Sequence, residues 1–181
     1  MISQCIDSGT QFGVVYTNGT KIEPAGCTAS VERVLERYED GRFDVLTIGQ
    51  TRFQIHEILD EKSYLEARVS RFQDATCDHQ ETLRELSQRA IDKLEEYAGM
   101  TGHSIKRTIL DRMELEELSF MIGTAGVFTL EDKQRFLQMT SPYERLQTVI
   151  SLLDKSIERQ QMMQQVRQAI GSEDDISPWL N

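Results

Sequence analysis

The stretch Asp40–Phe72, DGRFDVLTIGQTRFQIHEILDEKSYLEARVSRF, decides how the first part of this chain folds. Asp40-Gly41 is a strong hairpin signal, because a type I′ turn needs positive φ at both central residues and glycine adopts it freely. Val31, Val34 and Leu35 lead into the turn; Phe43, Val45 and Leu46 lead out of it. Gly49 then interrupts the apolar run, as a bulge or a sharp bend in a sheet requires. Beyond it Phe53, Ile55 and Glu57 alternate with Arg52, Gln54 and His56, and alternation resumes from Tyr64 to Phe72. A period of two predicts an antiparallel sheet.

Upstream of this stretch, Ile2, Cys5 and Ile6 stand at helical spacing, and Asp7-Ser8-Gly9 stops the helix. A helix that short is unstable alone. Phe12–Thr17, FGVVYT, reads as a buried strand closed by an Asn18-Gly19 turn. Cys27–Leu35 would also suit one helical face, but the hairpin that follows decides for strand. Downstream of Asp74 the period changes. Leu83, Leu86, Ala90, Ile91, Leu94 and Tyr97 recur at steps of three and four, predicting an amphipathic helix from Asp78 to Met100. Asp78 with Glu81 would open it and Gly99 or Gly102 close it. A second helix is predicted over about Arg112–Ile122, ended by Gly123. Thr129-Leu-Glu-Asp132 starts a third, with Phe136 and Leu137 inward. Ser141-Pro142-Tyr143-Glu144 combines an N-cap serine, proline at the first helical position and a capping-box glutamate. The helix it opens presents Leu146, Val149, Ile150, Leu153 and Ile157, runs through the Gln/Met-rich 160–165 section, and stops at Gly171.

Strands first and helices after mean an α+β chain. Its predicted divisions are a β-rich subdomain over 1–73, a helical bundle over 74–171 and an acidic tail over 172–181, too short to fold alone.

Composition narrows the function. The formal charge is −10, from 20 Lys and Arg against 30 Asp and Glu, which argues against binding nucleic acid or an anionic membrane. The one basic cluster near the hairpin is Arg33, Arg37, Arg42 and Arg52. No apolar run approaches the roughly 18 residues of a membrane span. The three cysteines, Cys5, Cys27 and Cys77, form no CxxC, which fits a reduced cytoplasmic chain. There is no phosphate-binding P-loop, no dinucleotide fingerprint and no nucleophile elbow, so neither a cofactor nor a catalytic residue is expected. Cys77 and His79 offer two ligands where a structural zinc needs four, so no metal is expected either. Glu114, Glu116 and Glu117 read as a solvated helix face rather than a paired-acid site. His56 reads as a solvent-facing strand residue, and His103 sits beside a glycine loop. Met162 and Met163 suit either an adaptable contact surface or an exposed helix extension. Trp179 and Leu180 suit a docking motif or simply a frayed end.

Three segments, CIDSGTQFGVV, EDGRFDVLTIGQTRFQI with YLEARVSRF, and FTLEDKQRFLQMTSPYERLQTVISLLDKSIE, resemble in that order the Lon protease amino-terminal domain. The matching motifs are Phe12-Gly13-Val14-Val15, Asp40-Gly41, Gly49 with Arg52-Phe53, Ala67-Arg68-Val69, Glu131 with Lys133-Gln134, and Glu144-Arg145-Leu146. The resemblance covers roughly residues 1–158. It implies a PUA-like antiparallel β pseudo-barrel followed by a C-terminal helical bundle. It also implies a module that binds unfolded or degron-bearing polypeptide, without the ATPase and Ser–Lys protease that follow this domain in full-length Lon. Binding would use strand addition at a sheet edge or an apolar groove between the two subdomains, with Phe53, Tyr64 and Phe72 the aromatics to test. For each of these three the plain alternative is core packing, and Arg52 and Arg68 are expected to brace the sheet. The family opens with an apolar strand that is not seen here, so the natural start is expected upstream, or another segment to cover that edge. Other expected partners are a second copy of this chain or a full-length Lon hexamer, met through Gln160–Ile170. An RNA-binding role, which the PUA-like fold would also admit, ranks below both, because fold does not fix function and a charge of −10 opposes it unless Arg33, Arg37, Arg42 and Arg52 form a basic patch.

Overall fold

The computed structural model of the protein describes residues 1–75 and 80–170. They form two compact units divided after Asp74. Strands fill the first and helices the second, the α+β order that the sequence indicates.

In the first unit, α1 (Ile2–Ser8) precedes strands β1 (Phe12–Thr17), β2 (Ile22–Arg37), β3 (Phe43–Leu59) and β4 (Glu66–Arg71). Gly9 ends α1 at φ 67°, where glycine avoids the Cβ clash of the left-handed region. The strands pair antiparallel in the order β1-β2-β3-β4, so β1 and β4 are the edges. Residues of both edges line one cavity, which requires the sheet to curl round on itself. This is a four-stranded half-barrel.

Three local features differ from the sequence reading. The β2–β3 turn is not type I′: the Tyr38 amide donates to the Arg42 carbonyl at 3.0 Å and the Gly41 amide to Tyr38 at 3.0 Å. Of Asp40 and Gly41, only Gly41 has positive φ, at 87°. That is a three-residue loop with glycine at its left-handed position, as common a solution as the two-residue turn. Next, β2 begins at Ile22 and runs through Pro24, although proline argues against strand. Its tolerance is explained by the register: Thr17 pairs with Ile22 but Val15 with Gly26, leaving Pro24 in a bulge with no ladder bond to lose. Finally, the alternation along β3 changes phase. Ile55 pairs with Val69 but Glu57 with Arg68, so an extra residue sits on β3 at His56. A one-residue slip exchanges the faces, and Ile58 rather than Glu57 joins Phe53 and Ile55 on the cavity side. Gly49, paired with Ala29, flanks another such irregularity, since Cys27 pairs with Arg52.

The second unit packs α2 (Gln80–Met100), α3 (Arg107–Leu110), α4 (Leu115–Gly123), α5 (Leu130–Gln138) and α6 (Pro142–Ile170) around a core of Leu83, Ile91, Leu118, Ile122, Phe136, Leu146, Val149 and Leu153. The end of α2 is a Schellman turn: the His103 amide donates to the Ala98 carbonyl at 2.8 Å and Gly102 sits at φ 76°. Asp78, expected to open this helix, lies outside the described residues. The second predicted helix is shorter than expected, starting at Leu115 after a turn, and the separate α3 before it carried no sequence signal. Glu114 occupies the N-cap position of α4 without a side-chain capping bond, and Glu116 and Glu117 lie in the first turn, where carboxylates favourably meet the positive end of the helix dipole. Thr129 and Asp132 form a reciprocal capping box on α5. On α6 the Glu144 amide donates to Ser141 Oγ at 3.2 Å, with Pro142 the first helical residue. The buried face of α6 includes Leu146, Val149, Ile150, Leu153 and Ile157, the stripe that spacing picks out. Beyond Gln160 every described residue of α6 is exposed.

Candidate functional site

The curl of the sheet encloses a cavity of about 500 Å³ in the first unit. Its floor is the Phe53 ring, only 4% exposed. Gly13 and Gly26 on the neighbouring strands make room for that ring: a Cβ at Gly26 would meet Phe53 Cζ at 2.6 Å. Cys5 of α1 closes one end. The walls are Phe12, Gly13 and Val15 of β1, Ile55 and Ile58 of β3, and Ala67 and Val69 of β4. Tyr64 and Leu65, in the loop before β4, stand at the mouth, and Leu65 is 61% exposed.

The electrostatics are simple. Among the described residues Glu66 is the one charged side chain lining the cavity, and Lys62 donates to its Oε1 at 2.8 Å. That hydrogen bond first, and the carboxylate's charge second, hold the Lys62 ammonium above the usual lysine range. The same ammonium lies 5.6 Å from the Tyr64 ring centroid, which orients the ring. What remains is a mostly apolar hollow, its lining shared with the uncharged polar side chains of Gln4, Thr10, Gln11 and Thr28. It can take up apolar side chains. A Ser–His contact does occur, between His56 Nε2 and Ser70 Oγ at 2.8 Å, but both residues are exposed and neither lines the cavity. Among the described residues no group of three His, Cys, Asp or Glu could hold a metal ion, and no helix is long and apolar enough to cross a membrane. Cys77, His79, Trp179, Leu180 and the 172–181 segment lie outside the described residues.

The three aromatics singled out by sequence part company. Phe53 and Tyr64 meet in the cavity, one as floor and one at the mouth. Phe72 is elsewhere, with Arg52 Cζ 4.7 Å from its ring centroid. Arg52 is buried and bonded to Asp74, while Arg68 makes an exposed pair with Glu57 at 3.0 Å. The basic cluster disperses: Arg42 pairs with Asp40 at 2.8 Å and Arg37 lies over the Phe43 ring. Sequence reasoning missed Val15, Ile58 and Leu65. Only the bulge at His56 brings Ile58 inward, and nothing in the pattern announced that bulge.

A second cavity of about 500 Å³ lies in the helical unit, among Leu94, Tyr97, Ile105, Leu110, Met121 and Val127. Its walls are shared between α2, α3 and α4 and the loops after α2 and α4, which supply Thr101, His103, Ile105, Ala125, Gly126 and Val127. The first cavity is bounded instead by β1 and β4, the two edge strands of the sheet among the described residues.

Residues 1–155 match the model of the ATP-dependent protease La (LON) substrate-binding domain. The chain belongs to this Lon domain family. Among its relatives, Lon protease of Rickettsia bellii is 24% identical over 168 residues, which are 88% of this chain and 21% of that protein. The peroxisomal Lon protease homolog 2 of Homo sapiens is 27% identical over 148 residues, 76% of this chain and 17% of that one. This Lon-family chain thus spans about a fifth of the length of the curated relatives it matches. Its fold is that of the N terminal domain of Mycobacterium avium complex Lon protease, with TM-score 0.65 at 20% identity, covering 84% of this chain and 81% of that one. The Lon N-terminal domain protein of Xanthomonas campestris gives TM-score 0.51 at 18% identity, covering 83% and 80%.

Proposed function

We propose that this chain binds unfolded or degron-bearing polypeptide, without chemical change, through the cavity of its β unit, in the service of protein quality control. The observation that carries the reading is the cavity itself: a mostly apolar hollow bounded by both edges of one sheet. Membership of a substrate-binding family supports it. Tyr64 and the rim residue Leu65 make first contact, and Phe53 shapes the floor. Phe72 braces Arg52. A cytoplasmic setting belongs to this reading, since Cys5 and Cys27 are free thiols.

The test is a fluorescence-anisotropy titration with a fluorescein-labelled, reduced and carboxymethylated protein as the unfolded client. A dissociation constant of about 1–100 μM is expected, the range of weak and reversible recognition. Tyr64→Ala should weaken binding roughly 5–10-fold, about 1 kcal/mol. Tyr64 is half-buried in a loop, so the unfolding midpoint should hardly move. Absence of binding at several hundred micromolar would end the reading.

A second reading rests on a different observation. Met162, Met163, Val166 and Ile170 form an exposed stripe on α6, with Met162 66% exposed. At about 100° per residue this stripe faces well away from the buried one. Self-association, or docking on a full-length Lon, would use it. A sedimentation mass that rises with concentration would favour that reading.

A further inference from the structure

The cavity of the helical unit carries a hydrogen-bond acceptor that the fold does not use. The Schellman turn at Gly102 brings His103 back to the last turn of α2, where its amide meets the Ala98 carbonyl. His103 and Ile105 thereby share the cavity lining with Leu94, Tyr97 and Thr101. The Thr101 hydroxyl donates to the Tyr97 and Ala98 carbonyls, at 3.1 Å each. Its hydrogen is engaged there, so in the 3.1 Å contact of Thr101 Oγ1 with His103 Nδ1 the ring nitrogen is the donor. A neutral imidazole has only one N–H. His103 Nε2 is therefore an acceptor, and among the described residues nothing donates to it.

We propose that this cavity binds a small hydroxylated aromatic molecule, its ring packed between Tyr97 and Met121 and its hydroxyl donating to His103 Nε2. A hollow of about 500 Å³, apolar but for a few placed polar groups, is the usual form of a small-molecule site. Tyr97 offers a ring face, and the Met121 thioether is a soft, adaptable contact for an aromatic ligand. Gly126 keeps one wall thin, since a Cβ there would meet nothing within 4 Å. Among the described residues no strand lines this cavity, so an extended polypeptide would find no sheet edge to join. The inference does not rest on the polypeptide-binding reading; it gives the helical unit a ligand of its own.

The probes are β-naphthol and its methyl ether, which keeps the rings but has no hydrogen to donate. Each is titrated into the full 181-residue chain carrying labelled isoleucine and methionine methyl groups, followed by NMR. β-Naphthol should saturate with a dissociation constant of about 0.1 mM, ordinary for a ligand of its size. The methyl signals of Ile105 and Met121 should shift, and those of Ile55 and Ile58 in the β unit should not. The ether should bind about tenfold more weakly, the loss expected for one hydrogen bond. His103→Phe keeps a ring but removes the acceptor, so naphthol and ether should then bind alike. Gly126→Leu should fill the hollow and abolish naphthol binding while the unfolding midpoint holds. If that variant fails to fold, the ether and His103→Phe comparisons still decide. Equal binding of naphthol and ether by the unaltered chain, shifts confined to the β unit, or no saturation at all would overturn the proposal. So would undiminished binding by a folded Gly126→Leu, or displacement of naphthol by the unfolded client, which would make this a polypeptide site.

Discussion

Replacing Arg145 with methionine should cost the helical unit about 3 kcal/mol, because a buried carbonyl, a part-buried carbonyl and a buried hydroxyl each lose a charged donor worth about 1–3 kcal/mol. Arg145 is fully buried. Its Nε donates to the Phe136 carbonyl at 3.3 Å, and its terminal nitrogens donate to Ser119 Oγ at 2.6 Å and to the Met139 carbonyl at 2.8 Å. The guanidinium also lies 3.6 Å from the Phe120 ring centroid. Phe136 and Met139 belong to the C-terminal end of α5, where unpaired carbonyls and the negative end of the dipole call for a cation. One side chain thus joins α4, α5 and α6. Lysine at this position keeps the charge but not the planar fork, so Arg145→Lys should recover only part of the loss. Urea unfolding checks both variants through the midpoint at unchanged slope. A loss below about 1 kcal/mol for Arg145→Met would show that the fork matters little.

The second large effect lies in the β unit. Arg52 and Asp74 form an ion pair with side chains 9% and 4% exposed. Arg52→Ala should cost about 3–5 kcal/mol, because it takes the counter-ion from a buried carboxylate and removes the cation beneath Phe72. Replacing both residues with leucine should be milder than Arg52→Ala alone, since a buried pair can be exchanged for apolar groups at little net cost. That non-additivity separates a stranded charge from lost packing. If the double leucine variant is as unstable as the sum of Arg52→Leu and Asp74→Leu, the pair is not the source of the effect.

These two arginines also mark where sequence stops being informative. The hairpins were legible because Asn18-Gly19 and Asp40-Gly41 leave the chain few alternatives. The third and last helices were legible because Thr129, Ser141 and Pro142 announce their starts, and the Leu146–Ile157 stripe needs only a period of 3.6 to be seen. Burial of Arg145, Arg52 and Asp74 was not legible. A charged side chain in a sequence reads as surface, and only tertiary placement supplies the carbonyls or counter-ion that let it enter a core. The start of β2 at Ile22, ahead of the Cys27–Leu35 stretch read as strand, had no signal in the sequence, and Pro24 fits there only because a bulge removes the bond it cannot make. The cavity was half legible. Phe53 and Tyr64 stood out as aromatics, but Ile58 reaches the cavity only through a phase slip at His56 that a strict period of two cannot foresee.

Photocrosslinking tests the central claim most directly, that the β unit is where polypeptide docks. p-Benzoylphenylalanine would replace Leu65 at the cavity mouth in one variant and Met162 on the α6 extension in another, positions 61% and 66% exposed and so tolerant of a bulky ring. After irradiation with the labelled unfolded client, adducts should form from position 65 and stay at background from position 162. Adducts from position 162 alone would contradict this account and move the binding surface to α6.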